Sequence, residues 1–90
     1  MIVRNFIEAF NSERRITSAD GNWDSTRLLL KDDQMGFSFH ITRIFKGANF
    51  KMHYQNHLES VYCINGSGEI ENLDDGEKYP INPGTIYILD

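Results

Sequence analysis

Short apolar runs alternate with polar residues along most of the chain, and glycine, aspartate and asparagine separate one run from the next. The clearest alternation covers 37–45 (FSFHITRIF), where aromatic and aliphatic side chains occupy one face and Ser38, His40 and Thr42 occupy the other. A period of two residues predicts a β-strand. We expect its aromatic face to be buried. Its polar face suits either solvent or the interior of a barrel that encloses a polar pocket.

Weaker strand signals lie at 1–7, 28–30, 68–73, 78–81 and 85–89. Turn signals separate them at 20–21, 74–76 and 82–84, and the polar stretch 11–22 is expected to connect elements. No segment predicts a helix. Short strands with regular turns indicate an all-β sandwich or barrel. A length of 90 residues allows one domain, 1–90, with a marginal core.

The stretch 47–66 (GANFKMHYQNHLESVYCING) concentrates side chains capable of ligation or proton transfer. Its odd positions share one face of an extended strand and comprise His53, Gln55, His57, Glu59, Val61 and Cys63. This face starts polar and ends apolar, as expected of a strand that lines a site at one end and fills a core at the other. Asn65-Gly66 predicts a tight hairpin turn into a return strand at 68–73. The plainer alternative is an ordinary hairpin strand with its histidines in solvent.

Composition narrows the function classes. Thirteen acidic and nine basic residues give a net charge of -4, which argues against nucleic-acid or anionic-membrane partners. No apolar run approaches the length of a membrane span, and the N-terminus lacks the features of a signal peptide, so we expect a cytoplasmic location. Cys63 is the only cysteine, so any metal within one chain would need nitrogen and oxygen ligands.

The spacing of Gly47, His53, Gln55, Glu59 and Gly66 resembles the first cupin motif, with Gln55 where the second histidine usually stands. The resemblance implies a cupin-type double-stranded β-helix, a jelly-roll barrel that holds a divalent metal.

The second cupin motif expects a histidine three residues after a glycine, and here Tyr87 stands at that distance from Gly84. A phenol has an ordinary pKa near 10, but a bound cation favours the phenolate, so tyrosine can serve as an oxygen ligand to iron. Alternatively, Tyr87 is a strand aromatic that packs its ring in the core.

Longer segments in chain order bring the resemblance closer, namely MIVRNF, NWDSTRLLLKDDQMGFSFHIT, MHYQNHLESVYCINGSGEIE and YPINPGTIYILD. They resemble ectoine synthases, cupin hydro-lyases of bacterial osmolyte synthesis. The resemblance implies an Fe²⁺-dependent cyclisation of N-γ-acetyl-L-2,4-diaminobutyrate, a small-molecule substrate, to ectoine with loss of water. It implies Glu59 and Tyr87 as metal ligands, Tyr54 as a further catalytic residue, and Trp23, Arg27, Thr42 and Tyr54 around the substrate.

The resemblance also implies that family members continue past the segment matching Asp90, with the third metal ligand in roughly the last third of their length. We therefore expect a truncated and incomplete barrel. A substitute ligand would come from His53, His57, His40 or a partner subunit. For His53 and His57 we favour a supporting role over that of a metal ligand, namely to orient Glu59 or to shuttle protons near neutral pH.

Each substrate assignment has a plainer alternative. Arg27 suits a substrate carboxylate because its fork matches two oxygens, but a surface arginine could instead pair with Asp24 or Asp32. Trp23 could be a core or edge aromatic, and Thr42 could face solvent. Tyr54 has the opposite parity to His53, so a regular strand would point it away from the site unless a bulge intervenes. Cys63 is expected to be a small buried hydrophobe, and 74–75 a turn rather than an acid/base dyad.

Other function classes stay open. A non-catalytic cupin-like module that dimerises or binds a small solute would fit the missing third ligand. Unpaired strands would leave apolar edges for a second subunit to cover, so we expect a homodimer. A metal-dependent cupin isomerase or dioxygenase is disfavoured by the run MHYQNHLE.

Overall fold

Strands make up most of the regular structure. The computed structural model describes residues 1–52 and 58–89. Its elements are α1 (Phe6–Phe10), β1 (Arg15–Thr17), β2 (Trp23–Leu29), a 3-10 turn (Lys31–Asp33), β3 (Phe39–Ile44), β4 (Glu59–Tyr62), β5 (Gly68–Glu71), β6 (Lys78–Ile81) and β7 (Ile86–Leu89). The chain forms two compact units, 1–51 and 52–90, and each is described by itself. The all-β class is confirmed, while the prediction of a single domain stays a prediction.

The first unit is built on a three-stranded antiparallel sheet in the order β1-β2-β3. Pairing of β2 with β3 sets Ser25 opposite Thr42 and Arg27 opposite His40. Directly opposed residues point to the same side of a sheet, and Trp23 has the same parity as Ser25. One face of the sheet therefore carries Trp23, Ser25, Arg27, His40 and Thr42.

The β2–β3 pairing contains a β-bulge between Arg27 and Leu29. Leu29 lies opposite Phe39, whereas Arg27 lies opposite His40, the very next residue of β3. Two steps along β2 thus match one step along β3. As a result, Arg27 and Leu29 turn to opposite faces although their numbers have the same parity.

Helix α1 begins after Asn5, whose side-chain oxygen accepts hydrogen bonds from the backbone N–H groups of Ile7 and Glu8 at 2.9 and 3.2 Å. Such a cap satisfies donors that the first turn of a helix leaves unpaired. The helix packs against β2 and buries Ala9. The prediction of a strand over 1–7 is therefore wrong, and so is the prediction that no segment is helical. The asparagine cap and the packing against β2 favour a helical turn.

Behind the Ser25 face, Asp24 is 2% exposed and is held by two arginines. Arg43 donates from Nε to one carboxylate oxygen at 3.0 Å and from Nη2 to the other, while Arg15 lies 3.9 Å away. The guanidinium carbons of Arg15 and Arg43 lie 4.2 and 4.7 Å from the centre of the Phe10 ring. The charge pairs thus link the three strands, and the cation–π contacts with Phe10 join α1 to this face of the sheet.

Arg4 fastens the N-terminal segment to the end of β2. It donates to the carbonyl oxygen of Leu28 at 2.8 Å and to both carboxylate oxygens of Asp33 at 2.9 Å. Asp33 also accepts from the backbone N–H of Leu30 at 2.9 Å. The hydrogen bonds from Arg4, and then that from Leu30, lower the pKa of Asp33 to about 2.

Strand β1 lies within 11–22, so the prediction that this stretch only connects elements is wrong. Its residues are all exposed, and it pairs with β2 through Ile16 opposite Ser25. A strand whose side chains are all exposed carries no alternation of buried apolar residues for a pattern to reveal.

Strand β3 confirms the strand predicted over 37–45, and β2 contains most of the one predicted at 28–30. The expected burial of the aromatic face is wrong for Phe37 and Phe39, which are 62% and 53% exposed. β3 is an edge strand, and α1 packs against β2 instead. A shallow groove here is lined by Ile2, Arg4, Leu28, Leu29, Met35, Phe37 and Phe39.

In the second unit, β4 pairs with β7 and β5 pairs with β6, both antiparallel. The turn at Asn65-Gly66 exists, with a φ of 82° at Gly66, but the predicted hairpin from β4 into the 68–73 strand is wrong. Cys63 donates its N–H to the carbonyl of Thr85 at 2.9 Å, so pairing with the end of the chain continues up to the turn. The β5–β6 and β7 strands confirm the signals at 68–73, 78–81 and 85–89.

Candidate active site

The β4–β7 pair brings together the two predicted metal ligands. In β4, Glu59 and Val61 are half-buried and alternate with exposed residues, and in β7 the same holds for Tyr87 and Leu89. Glu59 lies opposite Leu89, and Val61 lies opposite Tyr87. Glu59 and Tyr87 are thus diagonal neighbours on one half-buried face, and diagonal positions are within reach of long side chains.

The pKa of Tyr87 reflects its half-buried position and its closeness to Glu59. Burial raises the pKa of the Tyr87 phenol, and the charges of Glu59 and Cys63 raise it further. The phenol therefore stays protonated beyond its ordinary range in the metal-free chain. A cation bound beside Glu59 would act in the opposite direction and favour the phenolate.

The donor set of the β4–β7 face suits a hard or borderline cation. The carboxylate of Glu59 and the phenol of Tyr87 both offer oxygen atoms, which are suitable ligands for iron. Within 1–52 and 58–89, no group of three or more histidine, cysteine, aspartate or glutamate side chains is placed to hold a metal ion. The described residues therefore supply two of the metal ligands that the family resemblance implies, Glu59 and Tyr87.

The first unit gathers three of the predicted substrate residues. Trp23, Arg27 and Thr42 lie on the same face of the β2–β3 pair, with His40 opposite Arg27. Asp24 occupies the other face and pairs with Arg43, so the alternative of an Arg27–Asp24 pair is wrong. Arg27 Nε is buried and has no hydrogen-bond partner among the described residues.

Sequence reasoning missed Ser25. This residue is 5% exposed, and its hydroxyl lies 3.0 Å from the hydroxyl of Thr42 on the facing strand. The signal was present in the run WDSTR, where a period of two places Ser25 between Trp23 and Arg27.

Several predicted residues lie outside the described part of the chain, namely His53, Tyr54, Gln55 and His57, so their roles stay predictions. Cys63 is half-buried, and its Sγ lies 3.4 Å from the carbonyl oxygen of Asn65. The expectation that Cys63 is fully buried is therefore wrong. At 74–75 the turn is confirmed, since Asp75 accepts a hydrogen bond from the backbone N–H of Glu77 at 2.8 Å.

A helix with the length and apolar character needed to span a bilayer does not occur among the residues of the described ranges.

Comparison with known proteins supports this reading of the sequence. The family described as ectoine synthase matches residues 1–90. The chain is 74% identical to L-ectoine synthase of Teredinibacter turnerae over 90 residues, which is all of this chain and 68% of that protein. It is 69% identical to L-ectoine synthase of Saccharophagus degradans, again over the whole chain and 67% of the relative.

A solved structure gives the same result. The crystal structure of ectoine synthase from P. lautus matches with a TM-score of 0.88 and 45% sequence identity, over 100% of this chain and 63% of that one. The likeness confirms the predicted cupin-type fold. The chain spans about two thirds of the length of the curated relatives and somewhat less of the solved structure. On these matches, the chain belongs to the ectoine synthase family, a family of enzymes.

Proposed function

We propose that this chain acts in ectoine synthesis in the cytoplasm, closing N-γ-acetyl-L-2,4-diaminobutyrate into ectoine with loss of water, and so serves osmoprotection. The observation that carries the proposal is the shared face of Glu59 and Tyr87, two motif positions that are far apart in the sequence and neighbours in the sheet. Similarity to proteins named L-ectoine synthase supports it.

The reaction sets clear chemical demands. The free amine of the substrate forms a bond to the carbonyl carbon of the acetamide group, and the carbonyl oxygen leaves as water with two protons from that amine. An amide is a poor electrophile, so the negative charge that develops on its oxygen must be stabilised. Water must also be kept away, because the open-chain amide can be hydrolysed instead.

We infer that Glu59 and Tyr87 hold a ferrous ion through carboxylate and phenolate oxygens. When bound, the ion supplies a Lewis acid that stabilises charge on the amide oxygen. Because Tyr87 is protonated in the metal-free chain, its conversion to a ligand releases a proton. Metal affinity should therefore rise with pH.

The face of the first unit that carries Arg27 suits the substrate carboxylate. The Arg27 guanidinium presents a planar fork of donors, and a bound carboxylate would supply the partner that its buried Nε lacks among the described residues. Thr42, opposite Ser25, adds a hydroxyl, and Trp23 adds an apolar wall against water.

The remaining assignments concern residues outside the described ranges. We propose that Tyr54 contacts the substrate and that His53 and His57 orient Glu59 or move protons.

The test combines iron binding with product formation. The purified chain is reconstituted with Fe²⁺ without oxygen, its iron content is measured, and conversion of the acetylated diamine is followed by chromatography. The variants E59Q and Y87F should lower iron affinity by more than about tenfold and abolish cyclisation, because E59Q replaces an anionic carboxylate by a neutral amide and Y87F removes the phenol oxygen. The controls are E69Q on β5 and Y62F on the exposed face of β4, which should behave as wild type.

A folded wild-type chain that takes up no iron and forms no ectoine would contradict the proposal. So would iron binding that survives in E59Q and Y87F alike, since the ion would then have other ligands.

We also propose that the protein is a homodimer. Support comes from the exposed apolar groove of the first unit, where Phe37, Phe39 and Met35 are each more than half exposed. A dimer without iron or activity would instead favour the non-catalytic module. Light scattering across a range of protein concentrations tests the assembly, and a strict monomer would contradict it.

A further inference from the structure

The Ser25 hydroxyl lies on the face of the β2–β3 pair that also carries Trp23, Arg27 and Thr42. Ser25 lies on the central strand β2 and is 5% exposed, whereas its partner Thr42 lies on the edge strand β3 and is exposed. Their oxygens are 3.0 Å apart, a hydrogen-bond distance at which either hydroxyl could donate. A buried group is thus joined to an accessible one.

The two hydroxyls differ in what else they can reach. A buried hydroxyl needs a partner inside the protein, and Thr42 provides it for Ser25. The exposed Thr42 hydroxyl keeps hydrogen-bonding capacity toward the side where a ligand would bind. If Ser25 donates to Thr42, the hydrogen of Thr42 is left to donate to a negatively charged oxygen.

The neighbouring residues favour this direction. Arg27 lies on the same face, two residues along β2 from Ser25, and its positive charge selects an anionic ligand. The next cross-strand pair, Asp24 with Arg43, locks the register of the two strands from the opposite face. The strands therefore hold Ser25 opposite Thr42 and leave rotation of Thr42 about χ1 as the main freedom.

We propose that Ser25 is a positioning residue, which fixes the rotamer of Thr42 so that its hydroxyl donates to a carboxylate oxygen of the substrate beside Arg27. Without this hydrogen bond, an exposed threonine exchanges between rotamers, some of which turn its methyl group toward the ligand. The inference rests on the proposed function for its substrate and on the hydroxyl pair for its geometry.

The first experiment measures the rotamer directly. Three-bond couplings from the Thr42 methyl carbon to the backbone nitrogen and carbonyl carbon report χ1 by NMR. We expect one rotamer in the wild-type chain and averaged couplings in S25A. The matched control is S60A, the same change at an exposed strand position in β4, and it should leave the Thr42 couplings unchanged. If S25A does not fold, S25C keeps a similar volume with a weaker donor and should give the same averaging.

The second experiment links the rotamer to the reaction. S25A should lower kcat/KM for cyclisation by about fivefold, T42V should lower it further, and S25A/T42V should be no worse than T42V. Unchanged Thr42 couplings in a folded S25A or S25C would overturn the inference. Full kcat/KM in an S25A chain with averaged couplings would also overturn it.

The two experiments separate the inference from the proposed function. A wild-type chain that forms no ectoine counts against the proposed function alone, and the couplings then decide whether Ser25 positions Thr42.

Discussion

The Asp24–Arg43 pair allows a sharp test, because its two members differ in exposure. The side chain of Asp24 is 3% exposed and that of Arg43 is 51% exposed. Removing Arg43 in R43M leaves a carboxylate that water cannot reach, with Arg15 at 3.9 Å as its remaining cation. Removing the charge of Asp24 in D24N leaves an arginine head that can rehydrate. We therefore expect R43M to cost more stability than D24N.

The expected magnitudes follow from the structure. R43M leaves the buried carboxylate of Asp24 without its main hydrogen-bond partner and with Arg15 as the remaining cation; an unsatisfied buried polar group costs about 1–3 kcal/mol, so we expect a loss of about 2 kcal/mol. D24N keeps a hydrogen-bond acceptor for Arg43 and should cost about 1 kcal/mol. Urea unfolding at pH 7, followed by circular dichroism, measures both. K46M, a cation-to-methionine change at an exposed residue, is the control and should change little.

The pH dependence gives an independent check. Hydrogen bonding to Arg43 holds the pKa of Asp24 below its ordinary value of 3.8. A lowered carboxylate pKa contributes stability that is present above pH 3.8 and is lost as the pH falls through the folded-state pKa. The deficit of R43M relative to wild type should therefore shrink as the pH falls below about 4. Equal losses in R43M and D24N, or a deficit that is constant down to low pH, would refute this reasoning.

Two further changes test local features. Hydrogen bonding from Arg4 lowers the pKa of Asp33 from its ordinary 3.8 to about 2, so the ionised carboxylate contributes stability that is lost as the pH falls from about 4 to about 2. D33N should therefore destabilise the chain at pH 7 and remove this loss of stability at low pH. D32N, at the neighbouring exposed position, is the control, and an unaltered pH profile in D33N would contradict the assignment. Gly84 has a φ of 94° in the turn at 82–85, so G84A should lower the free energy of unfolding by about 1 kcal/mol or more, as measured in urea. The control is G68A, at a glycine without positive φ and with open space around it, which should cost less. Equal costs in G84A and G68A would show that backbone strain is not the cause.

Local pattern predicted the elements that carry their own signal. The alternation at 37–45 located β3, and the β-branched run before Asp90 located β7. The motif spacing of Glu59 and Tyr87 anticipated that they share a face, because motif positions encode a sheet register that no single strand reveals.

Other features depend on contacts that a local pattern does not contain. The five residues of α1 are too few to display a helical period, and only Asn5 signals it. The turn at Asn65-Gly66 shows that the chain reverses, but not that β4 pairs with β7 across more than twenty intervening residues. Ser25 was overlooked because a serine between a tryptophan and an arginine has no chemistry of its own until Thr42 is placed opposite it.

The β-bulge at the end of β2 has a consequence for how this strand can evolve. The extra residue Leu28 shifts the alternation of the strand by one position, so β2 carries polar residues on one side as far as Arg27 and lines the apolar groove with Leu28 and Leu29. Deleting that residue would restore unbroken alternation and leave Arg27 and Leu29 on the opposite sides that they occupy now. The strand can therefore lose Leu28 without exchanging its two faces, although it would lose the carbonyl oxygen that accepts a hydrogen bond from Arg4.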